Sequence, residues 1–247
     1  MATLSYHEQK DIENIKKLRE LQKELPSFCS DFFRGIETST STRTRIAYAY
    51  DLKIFFQFLK TANPGTFDNP SHTLTPSDLE KLTVTDLEEY IDYLKCHPSD
   101  TNEDVINTER GLMRKVSSLR SFYSYFFRNE RIEKNPAALV RMPKLHEKEI
   151  IRLEIDEVAK LLDEEVEEGD KLTEKQKLYH ERTKVRDLAM MSLLLGTGIR
   201  VSECVGLNIN DIDLDTCGAR VYRKGGKESV IYFSDEVRDV LENYLDE

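Results

Sequence analysis

Two short segments carry side chains whose types and spacing suit phosphate chemistry. The first is Gly196-Thr197-Gly198-Ile199-Arg200-Val201-Ser202-Glu203. Its two glycines break one apolar helix and let another start, so Arg200 falls at the turn, where a side chain can reach out of the core. Glu203 follows three residues later on the same helix face, and a carboxylate there can hold the guanidinium in one pose. A fixed guanidinium offers parallel N–H donors that match two phosphate oxygens at once. A structural arginine–glutamate pair at a helix start has the same spacing, so the residue types alone leave both roles open. The second segment is Arg223-Lys224-Gly225-Gly226-Lys227. Its glycines allow a tight turn and close approach of a bulky partner, and its lysines are either solvated or reach a ligand. An ordinary exposed basic hairpin is the competing reading.

Other chemistries find little footing. The four cysteines (Cys29, Cys96, Cys204, Cys217) are widely spaced, with no CxxC pair, and suit the reduced thiols of a cytoplasmic protein. The five histidines (His7, His72, His97, His146, His180) lack metal-ligand spacing, so neither a metal nor a cofactor is expected. The longest apolar stretch, Leu188 to Leu195, falls far short of the ~20 residues a membrane span needs. The first residues carry no apolar core of a secretory signal. No membrane association is expected.

The elements that must position these segments follow from periodicity. Ile12, Ile15, Leu18, Leu21 and Leu25 recur at near-helical spacing over residues 8–25, and Pro26 ends that amphipathic helix. Ser39 to Thr42 supplies cap candidates for a helix through Leu59, with Ile46, Tyr50, Ile54 and Phe58 as its stripe. Thr83-x-x-Asp86 opens a helix over Leu87 to Leu94. A fourth helix is expected from Ile106 to Phe127, and Asn135-Pro136 stops the segment after it. The aromatic set Tyr48, Tyr50, Phe55, Phe56, Phe58, Phe122, Tyr123, Tyr125, Phe126 and Phe127 suits a bundle core better than a base-stacking surface. Helices joined by short loops make a small all-α bundle.

Beyond the polar linker candidate around Pro143 to Arg152, the pattern changes. A short helix over Ile155 to Leu162, an exposed charged insertion over Glu164 to Lys177 and an apolar helix over Val185 to Leu195 come first. Ala219 to Tyr222 and Ser229 to Phe233 then read as a β-hairpin around Gly225-Gly226, followed by a helix from Asp235 to Leu245 with Val237, Val240, Leu241 and Tyr244 inward. The expected fold is therefore mainly α: an N-terminal helix (1–26), an all-α bundle (27–142), a linker (143–153) and a mixed α+β domain with a small antiparallel hairpin or sheet (154–247).

Charge is unevenly spread. The chain carries 36 basic and 46 acidic residues, a net charge of −10, which taken alone argues against a polyanionic partner. Yet Arg110 to Arg152 holds 11 Lys or Arg against 4 Asp or Glu. A basic middle between acidic flanks suits either one face turned to a polyanion or an ordinary solvated helix surface.

Taken together, LLLGTGIRVSECVGLNINDIDL and RVYRKGGKESVIYF resemble the start of the catalytic domain of tyrosine recombinases, also called phage integrases. TRIAYAYDLKIFFQFL, SSLRSFYSYFF and EKNPAALVRMPK resemble their core-binding domain, a SAM-like bundle, and linker. The likeness covers about residues 28–247. The charged insertion with HERTKVRD and the extra N-terminal helix resemble the single-recombinase Xer branch of Gram-positive bacteria. The family attacks a DNA phosphate with a tyrosine, forms a 3′-phosphotyrosyl bond and passes the strand to a partner hydroxyl, without ATP or metal. The resemblance implies that Arg200 is the first of two phosphate-clamping arginines, Glu203 its supporting carboxylate, and Lys224 the hairpin lysine that protonates the leaving 5′ oxygen. Lys227 is a second candidate for that task and for DNA contact. It also implies contact with double-stranded DNA by Thr42, Arg43, Thr44, Arg45, Arg114, Lys115, Ser117 and Arg120, with Lys144 in the linker.

The family pattern continues with a His-x-x-Arg segment and a nucleophilic tyrosine. No histidine follows His180 in these 247 residues, and Tyr244, the one late tyrosine, has core spacing. The expectation is that this chain is a DNA-binding portion of a recombinase, inactive in cleavage and monomeric by itself, whose parent works as a tetramer. The alternative is a non-catalytic protein that occupies recombination sites.

Overall fold

A computed structural model describes residues 6–98, 103–146, 149, 151–166, 173–223 and 227–246. The chain forms two compact units, Met1–Lys148 and Glu149–Glu247.

The N-terminal unit runs α1 (Tyr6–Lys23), α2 (Cys29–Gly35), α3 (Thr42–Ala62), α4 (Pro64–Phe67), α5 (Pro76–Leu79), α6 (Val84–Lys95), the strands β1 (Cys96–Pro98) and β2 (Asp104–Ile106), α7 (Glu109–Arg128) and a 3-10 turn at Pro136–Ala138. Side chains that satisfy free backbone donors set the helix starts. Ser41 Oγ accepts the Thr44 N–H at 3.2 Å, Thr83 Oγ1 accepts that of Asp86 at 3.3 Å, and Thr108 Oγ1 accepts that of Gly111 at 3.2 Å. The core is aromatic. Phe28, Phe32, Phe56 and Phe126 surround Phe122 with ring centroids 5.1–6.2 Å away, mostly edge to face.

Several expectations shift here. The fourth helix starts only after Thr108, because Ile106 pairs with Cys96 in a two-stranded ribbon and is exposed. In α1 the buried stripe is confined to Leu18 and Leu21, continuing at Leu25 beyond the helix end, while Ile12 and Ile15 are exposed. Tyr50 and Phe127 are exposed as well; Tyr50 lies under the Lys17 ammonium, 5.4 Å from its ring centroid.

The C-terminal unit contains α8 (Ile155–Val166), α9 (Glu174–Thr197), α10 (Val201–Cys204), the strands β3 (Ile212–Asp213), β4 (Gly218–Arg223) and β5 (Lys227–Tyr232), and α11 (Asp235–Asp246). The three strands form one antiparallel sheet in the order β3-β4-β5. The charged HERTKVRD stretch is helical: α9 starts at Glu174, ahead of the expected Val185, where Gln176 Oε1 accepts the Thr173 N–H at 2.9 Å. A core of Ala189, Leu193, Ile199, Cys204, Ala219, Val221, Phe233, Val237 and Leu241 joins α9, α10, the sheet and α11. Tyr244 is not part of it. It is 39% exposed and stands at the rim of an open apolar groove of about 300 Å³ beside Arg186, Met190 and Leu193 of α9 and Leu241. Among the described residues no helix is long and apolar enough to cross a membrane.

Candidate nucleic-acid interface

The turn between α9 and α10 fixes Arg200. Gly198 closes α9 in the left-handed region, at φ 64° and ψ 19°, with its N–H bonded to Leu194 O at 2.9 Å. Ile199 then dips into the core, and Arg200 takes extended geometry at the head of α10. Glu203 grips it twice: its Oε2 accepts the Arg200 backbone N–H at 3.0 Å, and its Oε1 accepts from Nη1 at 2.8 Å. The two ends differ in exposure, with the Glu203 side chain at 5% and that of Arg200 at 67%. A buried acid therefore holds a solvent-facing guanidinium. The backbone bond from Arg200, then its side-chain bond, hold the Glu203 carboxyl below its ordinary range, and the charges of Arg200 and Arg223 add to this.

Arg223, the first residue of the second segment, has no role of its own in the sequence pattern, yet it links the two segments. It is the last described residue of β4, it is exposed, and its charge acts on Glu203 because α10 packs on β4. Arg223 pairs with Lys227 across the hairpin, and Lys227 is exposed. Lys224, Gly225 and Gly226 lie outside the described residues.

In the N-terminal unit the candidate contacts divide into two groups. Arg43, Ser117 and Lys144 are exposed, and Thr42 and Thr44 are half-buried at the head of α3. Ser117 bonds back to Met113 O at 2.8 Å, and Thr44 Oγ1 lies 2.9 Å from Ser41 Oγ. Three others point inward. Arg45 is buried, with Nη1 bonded to Glu37 Oε1 at 2.8 Å and Nη2 to Thr42 Oγ1 at 3.4 Å. Lys115 is buried and donates to Asn107 Oδ1 at 2.7 Å; burial pushes its pKa down, and the neighbouring Asp51 opposes that. Arg120 spans from α7 to the 3-10 turn, bonding Ala137 O at 3.1 Å and also the carbonyl of Val140. The family resemblance implies DNA contact for these three, but the sequence does not show which carbonyls and carboxylates fold back onto them. Arg114 stands between the groups: Nη1 donates to buried Asp51 Oδ2 at 2.5 Å, while the side chain stays 45% exposed.

At the linker, Glu109 at the start of α7 accepts both the His146 N–H at 2.9 Å and a contact from its Nδ1 at 2.6 Å. The chain after the bundle is thereby tied to the helix that carries Arg114.

Comparison with known proteins adds relatives to this geometry. The sequence profile of the Phage integrase family matches residues 152–247. Tyrosine recombinase XerC of Caldanaerobacter subterraneus subsp. tengcongensis is 34% identical over 229 residues, which is 89% of this chain and 58% of that protein. Tyrosine recombinase XerS of Streptococcus uberis is 30% identical over 256 residues, covering 94% of this chain and 70% of its own length. Among solved structures, a lambda integrase dimer bound to a COC′ core site aligns with a TM-score of 0.55 at 15% identity, covering 91% of this chain and 56% of that one. XerH site-specific recombinase in a post-cleavage complex with palindromic difH substrate aligns at 0.53 and 14% identity, covering 83% and 52%. At such identities the structural likeness speaks for the fold alone. The chain spans 58% of the length of the first of these relatives.

Proposed function

The chain belongs to the tyrosine recombinases, with Xer-type enzymes among its relatives, and on that premise we propose that it serves site-specific DNA recombination by gripping the phosphates of duplex DNA. The observation that carries this is Arg200 held outward by buried Glu203 at a helix head, with Arg223 close by. Preorganised cations of this kind stabilise the charge that builds on a phosphate during strand exchange, each donor contributing about 3–4 kcal/mol.

In the proposed chemistry a tyrosine oxygen attacks the phosphorus, the bond to the 5′ oxygen breaks, and Lys224 gives that oxygen its proton. Arg200 stabilises the non-bridging oxygens throughout. The attacking tyrosine and a second clamping arginine of a His-x-x-Arg segment are not among these 247 residues. The 247 residues therefore bind DNA without cutting it, as a monomer in free solution, and cleavage belongs to a tetramer of a protein that carries the nucleophile. Thr42, Arg43 and Thr44 at the head of α3, Arg114 and Ser117 in α7, Lys144 in the linker and Lys227 on β5 supply the remaining contacts, hydroxyl and cationic groups meeting phosphate oxygens.

Fluorescence anisotropy of a labelled duplex, titrated with the chain at a series of salt concentrations, tests this. The logarithm of affinity should fall with that of salt at a slope near −0.9 for each phosphate neutralised. An affinity that barely changes between 50 and about 200 mM salt removes the clamp.

A further inference from the structure

Asp51 lies in the middle of α3, between the buried residues Leu52 and Ala49, and is itself 2% exposed. A carboxylate in such a place is unfavourable unless its charge is matched. Burial pushes its carboxyl up, and the charges of Arg114 and Lys115 oppose the push. Among the described residues one of its oxygens makes a direct bond, that to Arg114 Nη1, and Oδ1 is buried with no hydrogen-bond partner; the nearby Ser118 hydroxyl also favours the ionised form. Hydrocarbon of the same volume would serve the core as well or better, so the acid is accounted for by what it does to Arg114.

Arg114 has five N–H donors. One is tied to a residue at 2% exposure while the side chain remains 45% exposed, which leaves donors open to a second acceptor from solvent. Among the described residues, one other exposed arginine has a buried carboxylate partner, and that is Arg200 with Glu203. The other arginine pairs, such as Arg45–Glu37 and Arg131–Asp31, lack either the exposed guanidinium or the buried acid. Lys115, next to Arg114, is directed to Asn107, which in turn donates to Leu94 O at 2.6 Å; it leaves the direct bond to Asp51 with Arg114.

We infer that Asp51 is a positioning residue, which holds the Arg114 guanidinium in the pose that receives a DNA phosphate, as Glu203 holds Arg200. This rests on the duplex-binding function proposed above. Asp51 touches no DNA. Its effect is that the arginine is already ordered before binding, so less side-chain freedom is lost on contact.

The test is a double-mutant cycle on the 247-residue chain, read by duplex anisotropy across salt. Asp51→Asn keeps the shape and removes the charge. It should weaken binding about three- to tenfold and lower the salt slope by about 1, as Arg114→Ala does, and the double variant should bind no worse than Arg114→Ala alone. If Arg114→Ala weakens binding while Asp51→Asn binds as tightly as wild type or more so with an unchanged slope, the positioning role falls and duplex binding stands. Additive losses in the double variant overturn it equally. A wild-type chain with no salt-dependent binding ends the DNA reading itself and the inference with it. Should Asp51→Asn not fold, nitrogen relaxation of arginine side chains in the wild-type chain decides. Arg114 Nε should be as restricted as the backbone while exposed Arg43 averages freely; equal mobility of the two refutes the inference.

Discussion

Replacing Gly198 by alanine isolates the one backbone feature on which the placement of Arg200 depends. Gly198 is left-handed at φ 64°, and a Cβ there would meet nothing within 4 Å. The cost is therefore conformational alone, about 1–2 kcal/mol for a residue with a side chain in this region. Asparagine visits the region more readily, so Gly198→Asn should cost less than Gly198→Ala. For a domain of this size each kcal/mol lowers the melting temperature by about 4–8 °C. Calorimetry should then show the transition of the C-terminal unit falling by several degrees in Gly198→Ala, by less in Gly198→Asn, and the transition of the N-terminal unit unmoved. Gly196→Ala makes a contrast, since its Cβ would meet Val237 Cγ2 at 2.9 Å: its effect is steric and should be relieved by Val237→Ala, whereas that of Gly198→Ala should not. A Gly198→Ala chain that melts with wild type, or an asparagine variant that melts lower than the alanine one, refutes the left-handed end of α9.

Three further outcomes follow from named contacts. Burial alone would raise the Asp78 carboxyl, but bonds from Lys81, the Thr75 N–H, His72 and the Thr75 hydroxyl bring it down from an ordinary 3.8 to about 2; its stabilising contribution is full above pH about 4 and lost as pH falls toward 2, so acid denaturation of the N-terminal unit should be shallower in Asp78→Asn, and identical acid curves contradict the assignment. Phe122, fully buried among four other phenylalanine rings, should cost about 3–5 kcal/mol when cut to alanine, seen as a lower urea midpoint; a loss under about 1 kcal/mol means that the ring cluster is not the core. In a version of the protein that carries the nucleophile, Arg200→Ala should abolish the covalent protein–DNA adduct with duplex binding largely kept, and equal adduct yields on a denaturing gel rule out its role at the phosphate.

Short-range signals were legible in the sequence where side chain and backbone answer each other within three residues. The caps at Ser41 and Thr83 and the Arg200–Glu203 pair are of this kind, and the β4–β5 strands were legible from two short β-prone runs around a glycine turn. What escaped depends on contacts far apart along the chain. No periodicity indicates that Asp51 would meet Arg114, 63 residues away, that Glu37 would draw Arg45 inward, or that Arg120 would be used up on the carbonyls of the 3-10 turn. The ribbon of β1 and β2 was missed because three-residue strands give too little alternation to detect. Tyr244 misled for a related reason: helical spacing gives the face on which a residue sits but not how fully its neighbours cover it, and Tyr244 stays 39% exposed.

The proposed grip on DNA by a chain of net charge −10 implies a particular salt response. The basic run Arg110 to Arg152 and the exposed Arg200, Arg223 and Lys227 attract phosphate locally, while acidic stretches such as Asp235 to Glu247 repel it from farther off. At about 0.15 M salt the Debye length is ~8 Å, so the local contacts decide; at about 0.01 M it is ~30 Å, and the whole acidic surface is felt. Binding should therefore follow the steep counterion-release slope above about 0.1 M and flatten, or turn over, toward the lowest salt. Neutralising acidic residues in the last helix, for example Glu242→Gln with Asp246→Asn, should straighten the low-salt limb and leave the high-salt limb unchanged. A plot that is straight down to about 0.01 M in the wild-type chain shows that the acidic surface does not reach the bound duplex, and a change confined to high salt in the neutralised variant places those carboxylates at the contact itself.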